Sequence, residues 1–106
     1  PGTEPRKIIL EETLTYVDNQ GIIWRAEKGS VVDGASIPRF CWRLIGSPFV
    51  GRYRRASVIH DVYCVNRLRP AQAVHDCFKE MMQTDGVKNP KLSAMYQAVN
   101  FFGPRW

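Results

Sequence analysis

No stretch of the 106-residue chain approaches the roughly 18 to 20 consecutive apolar residues that a membrane-spanning helix requires; runs such as Ile8-Ile9-Leu10 are very short. The cysteines are too few and wrongly spaced for a disulfide framework. Cys41, Cys64 and Cys77 cannot all pair within one chain and none forms a CxxC, so at least one thiol is free, metal-bound or intermolecular. Low-complexity tracts, internal repeats and an interdomain linker are also lacking. With 44% hydrophobic and 24% charged residues, the composition excludes a disordered or collagen-like chain and predicts one domain over residues 1–106. Pro1-Gly2-Thr3-Glu4-Pro5 reads as a processed end, so residues 1–7 are expected to be a flexible or truncated N-terminus. A soluble protein, secreted or periplasmic after loss of an upstream segment, is the corresponding expectation.

Positive charge is in excess, with 15 Lys and Arg against 10 Asp and Glu. Arg52-Tyr53-Arg54-Arg55, Arg67 and Arg69 concentrate much of it. No nucleic-acid-binding motif accompanies these arginines, so an anionic lipid or cell-wall partner is preferred to nucleic acid, and a protein partner stays open.

Glu12–Val17 alternates polar and apolar residues, Asp18-Asn19-Gln20-Gly21 makes a turn, and Ile22–Ala26 resumes the strand pattern. The prediction is a β-hairpin with a four-residue loop. Asp33-Gly34-Ala35-Ser36 is a second turn, with Ser36 as the cap of a short helix whose first turn contains Pro38. Residues 52–66 lack Gly and Pro and read as a helix. Another is expected from Pro70 to about Thr84, and a last one after Asn89-Pro90, where Leu92, Met95, Tyr96, Val99 and Phe102 recur at helical spacing. The fold class is α+β: an N-terminal hairpin or small antiparallel sheet packed on three or four helices.

At about 100° per residue, Val58, Val62 and Val65 form an apolar stripe on the 52–66 helix, while His60 and Cys64 share the opposite side with Tyr53, Ala56 and Tyr63, so the helix is expected to be covered on both sides. A short connection makes the 70–84 helix an antiparallel neighbour, bringing His75 toward His60 and Cys64. Asp76 of the second His-Asp pair points to water, which argues against a metal phosphohydrolase built from both pairs.

The cluster of His60, Asp61, Cys64 and His75 supports two chemistries. Cys64 can be a nucleophile with His75 or His60 as its base and Asp61 or Asp33 orienting the imidazole. Alternatively, His60, Cys64 and His75 can hold zinc, with water or Asp33 as fourth ligand. Asp33, Ser36, Tyr53 and Tyr63 are assigned to the surrounding cleft, and Cys41 and Cys77 to the core.

Two family resemblances add to this. Ile59-His60-Asp61-Val62-Tyr63-Cys64 resembles the helical His-Asp pair of phospholipase A2, which implies a water-activating histidine and a calcium-binding aspartate. Cys64 stands where that family has tyrosine, His75 stands in the bracing aspartate's place, and no glycine-rich calcium loop is evident; zinc therefore ranks ahead of calcium. More extensively, Asp33-Gly34-Ala35-Ser36-Ile37-Pro38-Arg39, Ile45-Gly46-Ser47-Pro48, Gly51–Ala56 and Ile59-His60-Asp61 resemble the bacterial and phage family called domain of unknown function 1353, over residues 12 to 106. Its commoner form resembles His-Asp-x-Leu-Tyr followed by Ala-Asp-x-x-Phe. This chain is similar to a branch with Cys64 and His75 in those places, ending in Phe102-Gly103-Pro104-Arg105-Trp106. The resemblance implies no particular activity. The functional expectation is a small hydrolase acting on an ester or amide of the cell envelope; the alternative is a non-catalytic phage-related or secreted effector or interaction module in which the cluster is structural.

Overall fold

The computed structural model describes residues 7–106, so the expected flexible N-terminus falls largely on residues 1–6, outside the described residues. Alternation in the N-terminal third yields four short strands, β1 (Ile8–Ile9), β2 (Leu14–Val17), β3 (Ile23–Ala26) and β4 (Val31–Val32). They form two antiparallel pairs, β1 with β4 and β2 with β3. The hairpin ladder closes at Val17 opposite Ile23, so Ile22 belongs to a loop one residue longer than expected. Asp18 organises that loop: its carboxylate accepts from the Gln20 and Ile22 amides and from Trp24 Nε1, each at 2.9 Å.

Both edges of a two-stranded pair are open to further pairing unless something blocks them. On β3 the outward Arg25 amide donates to the Tyr63 hydroxyl at 2.9 Å, and Arg69 Nη2 donates to the Ile23 carbonyl at 2.6 Å while its guanidinium lies 4.3 Å over the Trp24 ring. The hairpin is thereby fastened to the helices by side chains. On its other side, Tyr16 donates from its hydroxyl to the Glu80 carboxylate.

The helices are α1 (Arg39–Ile45), α2 (Arg54–Asn66), preceded by a single 3-10 turn at Gly51–Tyr53, α3 (Ala71–Thr84) and α4 (Lys91–Phe102). This is the α+β architecture expected from the pattern. α2 and α3 pack antiparallel across the short Arg67–Pro70 connection, with His60 meeting both His75 and Phe78 across the seam. α3 supplies Phe78, Met81 and Met82 to the core, α4 supplies Met95 and Val99, and the strands supply Trp24, Ala26 and Val32.

Two expectations are corrected. Ser36 does not cap α1, which begins after Pro38 without a side-chain cap; the Ser36 hydroxyl turns inward to α2. α2 is not covered on both sides along its length: on the valine stripe Val58 is buried, Val62 half-buried and Val65 exposed. β3 reaches only about 13 Å along a helix about 20 Å long, so the last turn of α2 runs past its cover. Val62, Val65, Leu68, Ile23 and Val31 consequently line an open groove of about 670 Å³.

The 33–36 turn is held in one shape by Gly34. Its φ of +77° lies in the left-handed region, and a Cβ there would meet Trp42 Cζ2 at 2.5 Å, with the Phe49 ring at 3.2 Å behind it. Gly34→Ala is expected to lower stability by about 1–3 kcal/mol, from the backbone penalty and the indole clash together. Urea unfolding checks this; an unchanged midpoint would contradict the account.

Candidate functional site

α2 brings three polar side chains inward. His60 and Asp61 are successive and Cys64 follows one turn after His60; all three are buried, as are Ser36 and His75. A buried polar group must find partners, and here they are nearly all accounted for.

Asp61 fixes the 33–36 turn. Its Oδ2 accepts the Asp33 amide at 3.0 Å and its Oδ1 accepts the Ser36 amide at 3.3 Å. Asp33 closes an Asx turn onto the Ala35 amide at 2.9 Å, and the hydrogen bonds of both histidines go to other groups. The expected role of Asp33 as an imidazole-orienting group or metal ligand therefore does not materialise, and Asp61, with both oxygens on backbone amides, orients a loop rather than a ring.

The rings themselves form a chain. Ser36 Oγ lies 3.0 Å from His60 Nδ1, His60 Nε2 lies 2.9 Å from His75 Nδ1, and His75 Nε2 lies 3.0 Å from the Pro104 carbonyl oxygen. Its proton positions follow from the far end. A carbonyl can only accept, so His75 Nε2 carries a hydrogen; with a neutral ring its Nδ1 accepts, and the donor must be His60 Nε2–H. The neutral His60 then presents Nδ1 as an acceptor, and the Ser36 hydroxyl donates to it. Burial supports neutral rings: it lowers the His60 pKa from 6.5 to about 3, with His75 adding to the shift, and it lowers that of His75 against the opposing pull of the Pro104 carbonyl.

Cys64 joins this group differently than expected. Its Sγ is 3.7 Å from both Nδ1 and Nε2 of His60. A sulfur at one distance from both nitrogens sits over the ring face rather than on either in-plane lone pair, and both nitrogens already have partners. Burial first, then the Asp61 charge, pushes the thiol up to about 12. Cys64 is thus a packed thiol and not a thiolate nucleophile. Cys41 and Cys77 are likewise free and buried, as core residues should be.

Metal readings fare no better on geometry. Two imidazole nitrogens in direct hydrogen-bond contact leave no space for a zinc ion between them, since ligand bonds of about 2.0–2.1 Å in a tetrahedron would hold them farther apart. Among the described residues no group of three or more His, Cys, Asp or Glu side chains is arranged to hold a metal ion. The calcium role implied for Asp61 meets the obstacle that its oxygens are engaged by Asp33 and Ser36. The brace implied by the lipase resemblance is present, with His75 holding His60.

The two tyrosines assigned to the cleft lie elsewhere. Tyr63 is buried under the hairpin, its ring edge-on to Trp24 at 4.9 Å. Tyr53 lines a separate depression with Ile45, Arg52, Lys88 and Lys91. Asp76, as expected, is exposed and bonded to Gln72 and Tyr96. The Pro104 carbonyl went unpredicted because a backbone acceptor leaves no mark in a sequence.

The profile of the family described as "Protein of unknown function (DUF1353)" matches residues 8–99. The chain belongs to this family. Two similar proteins come from Sinorhizobium fredii (strain NBRC 101917 / NGR234). "Uncharacterized protein y4jT" is 42% identical over 97% of this chain and 31% of its own length; "Uncharacterized protein y4iH" is 40% identical over 100% of this chain and 44% of its own length. The chain therefore spans less than half of either relative. No solved structure matches it. Among the described residues, no helix is long and apolar enough to cross a membrane.

The neutral histidine pair makes stability acid-sensitive. A histidine whose folded pKa is depressed binds its proton more readily when unfolded, so its stabilisation is complete above about 6.5 and is lost as pH falls toward its folded pKa, about 3 for His60. Each such ring contributes a slope of at most about 1.4 kcal/mol per pH unit in that window. Urea titrations from neutral to mildly acidic pH should show the decline, and His60→Gln with His75→Asn should flatten it. An equally steep decline in the double variant would contradict neutral burial.

Proposed function

We propose that this DUF1353 protein is a small hydrolase of ester or amide bonds, with Ser36 as nucleophile, His60 as general base and His75 as the residue that positions His60. One observation carries this reading: the directional chain in which the Ser36 hydroxyl donates to His60 Nδ1 at 3.0 Å and His60 donates onward to His75 at 2.9 Å. A serine hydroxyl bonded to an imidazole whose other nitrogen is fixed by an acceptor is the arrangement that activates serine in acyl transfer on unrelated folds.

Ser36 Oγ attacks the acyl carbon while its proton passes to His60 Nδ1. The positive charge on His60 is shared with His75 through the Nε2–H bond and relieved at the Pro104 carbonyl. His60 then protonates the leaving alcohol or amine; water attacks the acyl-serine with His60 again as base, the acyl–Oγ bond breaks, and the proton returns from His60 to Ser36 Oγ as the acid departs. The resemblance bears on the third member, because the commoner form of the family resembles one with aspartate at position 75, another acceptor for the same N–H. The excess of basic residues favours envelope constituents, which are anionic, as the substrate class.

A second reading is favoured by the burial, which lowers the His60 pKa to about 3 and so makes the ring a weak base. Ser36 is 5% exposed, and the amides of Ala35, Ser36 and Ile37 are engaged by Asp33, Asp61 and the Gly34 carbonyl. On that reading the chain is a polar tie fastening the 33–36 turn and the C-terminal segment to α2 and α3 in a non-catalytic interaction module.

Hydrolysis of soluble p-nitrophenyl esters separates the two. Ser36→Ala and His60→Ala should each lower kcat/KM by about 10³-fold or more. Cys64→Ala should leave activity near wild type, and His75→Asp should restore what His75→Ala removes. An active Ser36→Ala, or wild-type protein without turnover on ester and amide panels, would leave the structural tie as the reading.

A further inference from the structure

The exposed apolar side chains of α1 and α4 are gathered rather than scattered. Phe40 and Leu44, one turn apart on α1, face solvent, and the Phe40 ring meets Phe102 edge-on at 5.6 Å. Phe102 is 71% exposed and its neighbour Phe101 78%. At the other end of α1, Ile45 shares a depression of about 430 Å³ with Tyr53, Arg52, Lys88 and Lys91. The start of α1 thus lies beside the end of α4, and the end of α1 beside the start of α4, giving one surface with an aromatic end and a cationic end.

Charge follows the same division. Residues 34–60 and 86–106, which contain all of this surface, hold eight Lys and Arg and no Asp or Glu. At its margin Asp85 pairs with Arg55 at 3.1 Å. We propose that the α1/α4 face docks on the surface of an anionic lipid bilayer, with Phe40, Leu44 and Phe102 entering the headgroup boundary and Arg52, Lys88 and Lys91 taking a lipid phosphate.

Aromatic and aliphatic side chains beside basic ones are the composition that binds at such an interface, where apolar burial and attraction to anionic headgroups act together. A second copy of the chain would set like charge against like charge. Nucleic acid would satisfy the cations but would gain nothing from Leu44, which cannot stack on a base as an aromatic ring does. The aromatic end is also near the candidate site in sequence, since Phe40 is four residues after Ser36 and Phe102 two before Pro104. Docking stands without the hydrolase reading. That the bond cleaved is then a lipid acyl ester is a consequence that rests on it.

Co-sedimentation with vesicles tests the docking directly. The chain should pellet with vesicles of equal parts phosphatidylcholine and phosphatidylglycerol, and much less with phosphatidylcholine alone. Phe40→Ser with Phe102→Ser, and separately Lys88→Glu with Lys91→Glu, should each weaken binding by about tenfold or more while leaving soluble-ester turnover unchanged. Absence of binding to the anionic vesicles, binding indifferent to both pairs of substitutions, or capture of single-stranded oligonucleotide in preference to vesicles would overturn the proposal. Soluble-ester turnover by wild-type protein reports on Ser36 independently, so either reading can fail alone.

Discussion

The carbonyl oxygen of Pro104 can accept a hydrogen bond and cannot donate one, and that asymmetry sets the direction of the whole buried network. It requires a hydrogen on His75 Nε2, which makes Nδ1 an acceptor, which requires a hydrogen on His60 Nε2, which leaves Nδ1 to receive the Ser36 hydroxyl. One backbone atom near the C-terminus therefore fixes the tautomer of a ring on α2 and the orientation of a hydroxyl in the turn after β4. Four segments distant in sequence are joined by three hydrogen bonds. In a low-dielectric interior each bond costs more to break than in water, because the groups released have no solvent to turn to.

Asp61 complements this network without belonging to it. Its two oxygens hold the amides of Asp33 and Ser36, so the residue next to His60 on α2 positions the loop that carries the hydroxyl His60 receives. Gly34 completes the turn by allowing both the left-handed backbone and the approach of Trp42. The adjacent His60-Asp61 pair divides its work, the first residue acting on a side chain and the second on the main chain.

Local features were the legible ones. The hairpin followed from period-two alternation around Asp18-Asn19-Gln20-Gly21, and α3 and α4 from periodicity and their prolines, because each signal lies within a few residues of its effect. The meeting of His60 and His75 was also readable, since i,i+4 spacing on α2 and a short connection leave little freedom in how α2 and α3 face each other. Ser36 was misread because a serine before Pro38 satisfies the local rule for a helix cap, while its actual partners lie 24 and 25 residues away on α2. The valines of α2 were misread for a related reason: a wheel separates faces but does not say where a neighbouring strand stops. Cys64 was expected near the right ring, but its sulfur is equally far from both ring nitrogens, a direction of approach that spacing cannot resolve.

The C-terminal segment that supplies the Pro104 carbonyl is itself held by exposed bonds. Arg105 donates to the Asn100 carbonyl, and Trp106 Nε1 donates to the Arg69 carbonyl at 2.8 Å, with the indole set edge-on toward His75. Segments fastened by solvent-exposed hydrogen bonds open at less cost than the core they cover. A fully buried ring pair is thus closed off by a more weakly secured segment. A local opening of residues 104–106 would expose His75 to water with α2, α3 and the hairpin still folded.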